Sequence, residues 1–324
     1  MRPIRIDHKL DNYFGKLVDK ELLQANSAIS KAKAEILKLR NSYNSLDKEY
    51  QVLEEITADF KKFILLRPEE QEQFVKEWDS DLFYDRPNAS TRKKTNSFSK
   101  KILEALDYEE FRKSYAHKII ETIGLKTCPY CNAMLTVVTN SKNGNKKSRF
   151  QLDHFFPKSK YPLLSISFFN LIPSCGNCNI TKSSRNVTLG LDFHLYANDT
   201  PLEGFTFQIT KCSEAKYRLS NNRDDIEVGF KHGQDGNTKY ATNHDKTYGI
   251  SELYNTQIDI VEELFWKSKA YSASRIKELS LILKIDEALV HRMVIGSYID
   301  KEDIHKRPLT KFTQDIARQL KLIK

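Results

Sequence analysis

The chain contains 324 residues, of which 40% are hydrophobic and 29% are charged. This apolar content excludes an intrinsically disordered chain, and the length suffices for one large domain or for two to three small ones. No run approaches the ~18 consecutive apolar residues of a membrane-spanning helix, which excludes an integral helical membrane protein. Residues 1–8 lack the apolar stretch of a secretion signal, so we expect a cytoplasmic protein whose cysteines stay reduced.

The N-terminal part is expected to be helical. Residues 12–53 predict one long helix, because apolar side chains recur alternately three and four positions apart. This apolar seam consists of Leu22, Ala25, Ile29, Ala32, Ile36, Leu39, Tyr43, Leu46, Tyr50 and Leu53. Its spacing is typical of a helix packed against another helix, either in an intramolecular bundle, which we favour, or in an intermolecular coiled coil. Helical character continues over 56–84, where Pro68 is expected to open a new helix.

A polar and basic segment separates these helices from the next one. Residues 85–100 are nearly free of apolar side chains and predict a loop or linker. A helix is expected to follow over 100–122 and to end at Gly124, because glycine readily adopts the left-handed conformation of a helix C-cap.

The central segment combines a predicted hairpin with a short helix. Residues 133–152 predict a β-hairpin, since branched residues precede the strong turn signal Asn143–Gly144. Residues 163–173 are expected to be apolar loop and turn, and a short helix is expected over 176–186.

The remaining chain changes from mixed to helical character. Residues 187–240 predict loops with short strands, and helical periodicity returns over 249–321. The predicted fold class is α+β, predominantly helical, with a small zinc-pinned module between helical N- and C-terminal regions. The expected segments are a helical region over 1–122, the module over 123–190, mixed loops and strands over 191–248, and a helical region over 249–324.

Four of the five cysteines form two Cys-x-x-Cys pairs, Cys128/Cys131 and Cys175/Cys178. Each pair can bring two thiolates to one metal ion, and two pairs complete the tetrahedral set of a structural zinc site. Four thiolates leave zinc no open position for water, so this ion is expected to be a scaffold rather than a catalyst. Cys212 is left over and is expected to be a small buried side chain.

Polar residues between and after the cysteine pairs suggest chemistry beyond zinc binding. Asp153 and the amide oxygen of Asn179 are the hard oxygen ligands that Mg²⁺ or Mn²⁺ prefers. Adjacent residues on an extended segment point to opposite sides, so Asp153 and His154 can have different roles. His154 is then free to accept a proton from an attacking water.

The order Cys-x-x-Cys, Leu-Asp-His-Phe-x-Pro-Lys, Phe-Asn-Leu and Cys-x-x-Cys-Asn-x-x-Lys resembles the HNH endonucleases, also called the ββα-metal or His-Me finger group. The resemblance covers about 55 residues, one sixth of the chain. It implies that Asp153 and Asn179 bind the catalytic metal and that His154 is the general base. It also implies that Asn170 holds a loop through backbone hydrogen bonds and that Lys182 lies near the phosphate. Many family members have histidine where this chain has Asn179, which would shift metal preference.

The resemblance suggests a mechanism. His154 would activate water for in-line attack, and the ion held by Asp153 and Asn179 would stabilise the leaving 3′ oxygen. The products would carry 5′-phosphate and 3′-hydroxyl ends.

Positive charge is concentrated around the same motif. The chain has a net charge of +9, and nine basic residues but only one acid lie between Lys126 and Arg185. Such a cluster is expected to contact the nucleic-acid backbone without reading sequence. The expected contact residues are Lys142, Lys146, Lys147, Lys158, Lys160 and Arg185. The neighbouring aromatic residues are expected to pack the module rather than to stack on bases; they are Phe155, Phe156, Phe168 and Phe169.

The expected function is a metal-dependent endonuclease, for which DNA is favoured over RNA although the sequence does not distinguish the two. The Leu-Asp-His-Phe-x-Pro-Lys-Ser-Lys-Tyr-Pro run and the segment over 306–316 resemble nuclease subunits of bacterial anti-phage systems such as Septu, which work beside an ATPase subunit. In that case the seam over 22–53 is a candidate docking face for the partner. The alternative is a zinc-stabilised nucleic-acid-binding or adaptor module without catalysis, and a nicking assay with Mg²⁺, Mn²⁺ or EDTA distinguishes the two.

Overall fold

The structure is a computed structural model in which residues 1–77, 80–83, 97–144, 146–232 and 238–324 are described. In these ranges the chain is mostly helical and carries three two-stranded antiparallel sheets, as the predicted fold class requires. No helix in the described ranges is both long and apolar enough to cross a membrane. Most of the loop predicted over 85–100 lies outside the described residues.

The described residues before the cysteine-rich segment form eight helices. They are α1 (His8–Leu22), α2 (Ala28–Arg40), α3 (Lys48–Ala58), α4 (Phe60–Ile64), α5 (Pro68–Lys76), α6 (Ser80–Phe83), α7 (Ser97–Leu106) and α8 (Tyr108–Ile123). Pro68 opens α5 as predicted, and Gly124 caps α8 with a φ of 70°. Asp107 separates α7 from α8 and accepts a hydrogen bond from the Glu110 amide, which starts α8.

The single helix predicted over 12–53 is wrong, because the chain turns twice within it. The side chain of Ser27 caps α2 by accepting a hydrogen bond from the Ser30 amide, and α3 begins after Asp47. Apolar periodicity does not register such breaks, since capping residues can interrupt a helix without disturbing its pattern. The buried seam residues, Ile29, Ala32, Ile36 and Leu53, belong to the chain's own core. The seam is therefore part of an intramolecular bundle.

The central segment contains two strand pairs and a short helix. Its elements are β1 (Val138–Asn140), β2 (Lys146–Ser148), β3 (Gln151–His154), β4 (Leu171–Ser174) and α9 (Gly176–Lys182). β1 pairs with β2 in the predicted hairpin, but the end of the predicted return strand instead joins β3, which pairs with β4. The segment predicted as loop and turn over 163–173 thus contains part of the strand β4. The sequence did not reveal this strand because its partner, β3, lies about 20 residues away in sequence.

The C-terminal part packs helices on the third sheet. The elements after α9 are β5 (Phe205–Ile209), α10 (Lys211–Ser220), β6 (Val228–His232), α11 (Thr238–Tyr248), α12 (Ile250–Asn255), α13 (Ile258–Ala270), α14 (Ala273–Leu283), α15 (Glu287–Ile295) and α16 (Thr310–Gln319). α16 lies against β5, where Asp315 accepts a hydrogen bond from the Phe207 amide. Buried apolar residues from Met1 to Ile323 form one continuous cluster, so the central segment is embedded in a shared core.

Candidate metal centre and cleft

The four paired cysteines converge in the interior. Their sulfur atoms all lie within 4.8 Å of one another, and Sγ of Cys131 lies 4.0 Å from Sγ of Cys175. Zinc–sulfur bonds of about 2.3 Å in a tetrahedron place sulfur atoms about 3.8 Å apart, so this cluster could hold a zinc ion. Hydrogen bonds among the four thiols lower the pKa of Cys175 but raise the pKa of Cys178, so the protons are shared unequally within the cluster, whereas zinc binding requires that all four be thiolates.

Distant residues hold the first cysteine pair in place. Asn132 has a φ of 53° and donates its backbone N–H to the Cys128 carbonyl. This hydrogen bond closes the turn that contains Cys128 and Cys131, which we call the cysteine knuckle. The side chain of Asn132 donates to the carbonyl of Ile304 and accepts a hydrogen bond from the Lys311 amide. The C-terminal region therefore stabilises the turn that presents these two thiols.

Asp153 lies at the end of β3 and is only 3% exposed. Its Oδ2 accepts a 2.5 Å hydrogen bond from the Tyr130 hydroxyl, and the ammonium of Lys182 lies 3.2 Å from the carboxylate. Burial raises the pKa of Asp153, while Lys182 and Tyr130 oppose this shift. The two partners use only part of the hydrogen-bonding capacity of a carboxylate, so an oxygen ligand remains available.

The neighbouring His154 is 8% exposed and is fixed in one orientation. Its Nε2 lies 2.8 Å from the carbonyl oxygen of Ser165 and must donate to it, because a carbonyl only accepts. The neutral ring then carries its lone pair on Nδ1. Burial lowers the pKa of His154 to about 3, so the imidazole is neutral at physiological pH.

Asn179 lies in α9, one residue after the last cysteine. Its Nδ2 donates a 2.6 Å hydrogen bond to Oε1 of Gln151 on β3. This contact orients the amide and leaves its carbonyl oxygen as the atom that a cation would bind.

Asn170 is fully buried and connects the two ends of the segment that joins β3 to β4. Its Oδ1 accepts a hydrogen bond from the Phe156 amide, and its Nδ2 donates to the carbonyls of Phe156 and Leu164. These are the backbone hydrogen bonds expected of it. Phe156 and the other three phenylalanines of the module are buried as well, in agreement with the expected packing role.

Lys182 lies in the interior beside Asp153. Its ammonium is buried, donates to the His154 carbonyl at 2.7 Å and pairs with Asp153. Burial lowers the pKa of Lys182, and Asp153 opposes this shift. Lys182 is therefore an internal counterion for Asp153.

Asp153, His154 and Asn179 line one cleft with a volume of about 530 Å³. Tyr108 and Arg112 of α8 form part of its wall, and Lys158 and Ser159 belong to the segment after β3. The ring of Tyr108 lies 4.6 Å from that of His154, and the ammonium of Lys158 lies 4.2 Å from the Tyr108 ring centroid. Asp153 is the sole acid among the described residues that line this cleft.

Only some residues of the predicted basic cluster are exposed and available to contact nucleic acid. Lys142 and Lys147 are exposed around the β1–β2 turn. Lys146 pairs with Glu121, Arg185 pairs with Asp192, and Lys160 donates to Asn186. Glu121 and Asp192 lie outside the window in which the charges were counted, so the local excess of positive charge is smaller than the sequence window indicates.

No family model matches the sequence, and no curated protein or solved structure shows significant similarity to it. The interpretation of the cleft therefore depends on the residues themselves.

Sequence patterns did not identify several residues that define the site. Tyr130 could have been singled out, because it lies inside the first Cys-x-x-Cys pair. Ser165 contributes only a backbone carbonyl, and Tyr108 and Arg112 come from a helix outside the motif, so no local signal marks them. The expectation for Cys212 was also wrong, because this cysteine is exposed.

Proposed function

We propose that this protein is a metal-dependent endonuclease of the HNH type that hydrolyses phosphodiester bonds in nucleic acid, with DNA as the expected substrate. The observation that carries the proposal is the convergence of Asp153, His154 and Asn179 on one cleft. A protein that only bound nucleic acid would not need a carboxylate, an oriented neutral imidazole and an amide oxygen in the same recess.

The geometry of His154 supports its assignment as general base. The hydrogen bond to the Ser165 carbonyl selects the tautomer with a lone pair on Nδ1, and burial keeps the ring neutral. A neutral imidazole can accept a proton from water, but a pKa of about 3 makes this ring a weaker base than an ordinary imidazole, so the attacking water would have to be acidified by the bound cation.

The donor set supports a hard divalent cation. Asp153 and Asn179 offer one carboxylate and one amide oxygen to the same cleft, and such oxygen ligands suit Mg²⁺ or Mn²⁺. A cation bound there would supply Lewis-acid stabilisation of negative charge on the phosphate and leaving oxygen. Tyr130 and Lys182 hold the carboxylate in place.

The topology supports the proposed ββα-metal module. β3 pairs with β4, and α9 follows β4 in the chain and contacts β3 through the hydrogen bond from Asn179 to Gln151. Asp153 and His154 lie at the end of β3, and Asn179 lies in α9. The four cysteines anchor the start of α9 and the segment after α8, so a zinc ion would act as scaffold alone.

Cleavage by a His154→Ala variant tests the proposal. With Mg²⁺ or Mn²⁺ present, we expect the rate of cleavage, measured on single-stranded DNA as well as on plasmid, to fall by about 10²–10⁴-fold, the usual contribution of a general base. His8→Ala, which changes an exposed histidine in α1, is the matched control and should cut at the parental rate. Both variants must retain the zinc content of the parent. Parental activity in folded, zinc-loaded His154→Ala would refute the assignment.

Sequence resemblance alone supports the proposed role in anti-phage defence beside an ATPase partner. The seam over 22–53 is a poor docking face, since its main apolar side chains are buried in the N-terminal bundle. Deleting it is expected to unfold that bundle, so partner binding has to be tested by co-purification of the full chain.

A further inference from the structure

The candidate reacting groups lie at the floor of the cleft rather than on the surface. Asp153 and His154 are 97% and 92% buried, as their exposed fractions of 3% and 8% show. Tyr108 is itself buried and covers the His154 ring from the side of α8. A phosphate can therefore reach these groups only by entering the recess.

The walls of the recess are held by specific contacts. The Tyr108 hydroxyl donates to the Leu152 carbonyl on β3, which ties α8 to the strand that carries Asp153. On the other side, Asn170 fixes the backbone at Phe156, just before Lys158. These hydrogen bonds therefore fix the position of the wall on each side of the cleft.

The charges of the cleft suit a polyanion. Arg112 and Lys158 are partly exposed and line it, together with the hydroxyl groups of Ser159, Ser183 and Ser184. Cations and hydroxyl groups contact phosphate oxygens in most nucleic-acid complexes. The one lining acid, Asp153, lies at the floor, where the proposed cation would bind.

A paired duplex and a single strand differ in their ability to enter such a recess. Duplex DNA is a stiff rod with a persistence length of about 150 base pairs, so its backbone does not bend sharply into a recess. A single strand bends freely and follows a positively charged groove. The volume of about 530 Å³ lies within the range of small-ligand pockets, about 300–1,000 Å³, which is enough for one or two nucleotides of a strand that enters the cleft.

We propose that the preferred substrate is single-stranded or locally unpaired nucleic acid, and that fully paired duplex is cut poorly. This inference rests on the proposed nuclease function and specifies its substrate class.

Cleavage of three end-labelled DNA substrates of one sequence tests the inference: a single strand, a fully paired duplex, and a duplex with a central unpaired bulge. With Mg²⁺ or Mn²⁺ we expect the single strand and the bulge to be cut at least about tenfold faster than paired DNA, which corresponds to about 1.4 kcal/mol in the barrier. Equal or faster cutting of the paired duplex overturns the inference and leaves the nuclease function intact. No cutting of any DNA or RNA form by the folded, zinc-loaded chain overturns both.

Binding provides a second measurement that does not require turnover. These measurements use the His154→Ala variant, so that the DNA is not cut. Its fluorescence anisotropy titrations should show about tenfold tighter binding of the single strand than of the paired duplex. Adding Arg112→Ala should weaken single-strand binding several-fold, while Arg275→Ala, an exposed control of equal charge change in α14, should not. Equal affinities for both forms, or equal effects of the two arginine variants, contradict the inference.

Discussion

The hydroxyl group of Tyr130 donates a 2.5 Å hydrogen bond to Oδ2 of Asp153. Tyr130 lies between Cys128 and Cys131, so one residue of the cysteine knuckle orients the carboxylate of the cleft. Its ring is buried and stacks on Tyr248. The four-cysteine site and the candidate catalytic carboxylate are therefore coupled through a single side chain.

Tyr130→Phe should reveal this coupling. The substitution keeps the ring and its stacking but removes the hydrogen bond to a buried carboxylate. Since hydrogen bonds to charged groups contribute about 1.5–3 kcal/mol, we expect a loss of that order in the free energy of unfolding, measured with urea. Nicking activity should also fall, with zinc content unchanged. Tyr13→Phe, at a partly exposed position in α1, is the control; equal effects of the two variants would contradict the coupling.

The four-cysteine site should contain zinc. We expect one zinc ion per purified chain by elemental analysis, and its loss in Cys175→Ser. Structural zinc contributes about 10–16 kcal/mol in small zinc-dependent peptides, so this variant should also lose protease resistance around α9. Cys212→Ser changes the exposed fifth cysteine and should keep the full zinc content. Full zinc content in Cys175→Ser would argue against the site.

Lys182→Met should destabilise the protein strongly without added magnesium. It leaves the Asp153 carboxylate buried with no cation beside it, and breaking a buried ion pair in this way costs about 3–5 kcal/mol. Adding Asp153→Asn removes the unpaired charge and should restore part of the lost stability. Urea unfolding of the two single variants and the double variant measures this interaction. Additive effects would show that the two side chains do not interact.

Three buried histidines outside the cleft should make the protein sensitive to acid. Burial lowers the pKa of His194 and His244 to about 3 and that of His305 to about 4. Between those values and the unfolded value of about 6.5, the unfolded chain binds more protons than the folded one, so stability falls as pH falls. These three protons and that of His154, whose pKa is lowered in the same way, correspond to about 5 kcal/mol per pH unit near pH 5. Urea midpoints at pH 7, 6 and 5 test this; equal midpoints would contradict it.

Basic residues of the predicted cluster should separate into two groups. Lys142→Ala or Lys147→Ala removes an exposed charge, so it should weaken nucleic-acid binding and reduce the slope of log affinity against log salt by about 1. Arg185→Ala should mainly lower stability, because Arg185 bonds to Asp192 and Asn243 within the fold. A salt slope that does not change in Lys142→Ala or Lys147→Ala would exclude these lysines as backbone contacts.

The sequence by itself determined the local chemistry. The two Cys-x-x-Cys pairs predicted one metal cluster, and all four thiols converge. Pro68 and Gly124 predicted a helix start and a helix end, and both are observed. The helix boundaries and the spacing within each cysteine pair could be predicted because residues a few positions apart set them, and the joining of the two pairs could be predicted because zinc takes four ligands.

Only the tertiary structure decided which distant groups meet. The pairing of β3 with β4 joins segments about 20 residues apart, and α8 brings Tyr108 over His154 from outside the motif. Lys182 is a buried partner of Asp153, and Arg185 is tied to Asp192. Periodicity and charge counts could not predict these outcomes, because burial and ion pairing depend on packing between distant segments. This packing determines whether a charged side chain is solvated or is buried beside an opposite charge.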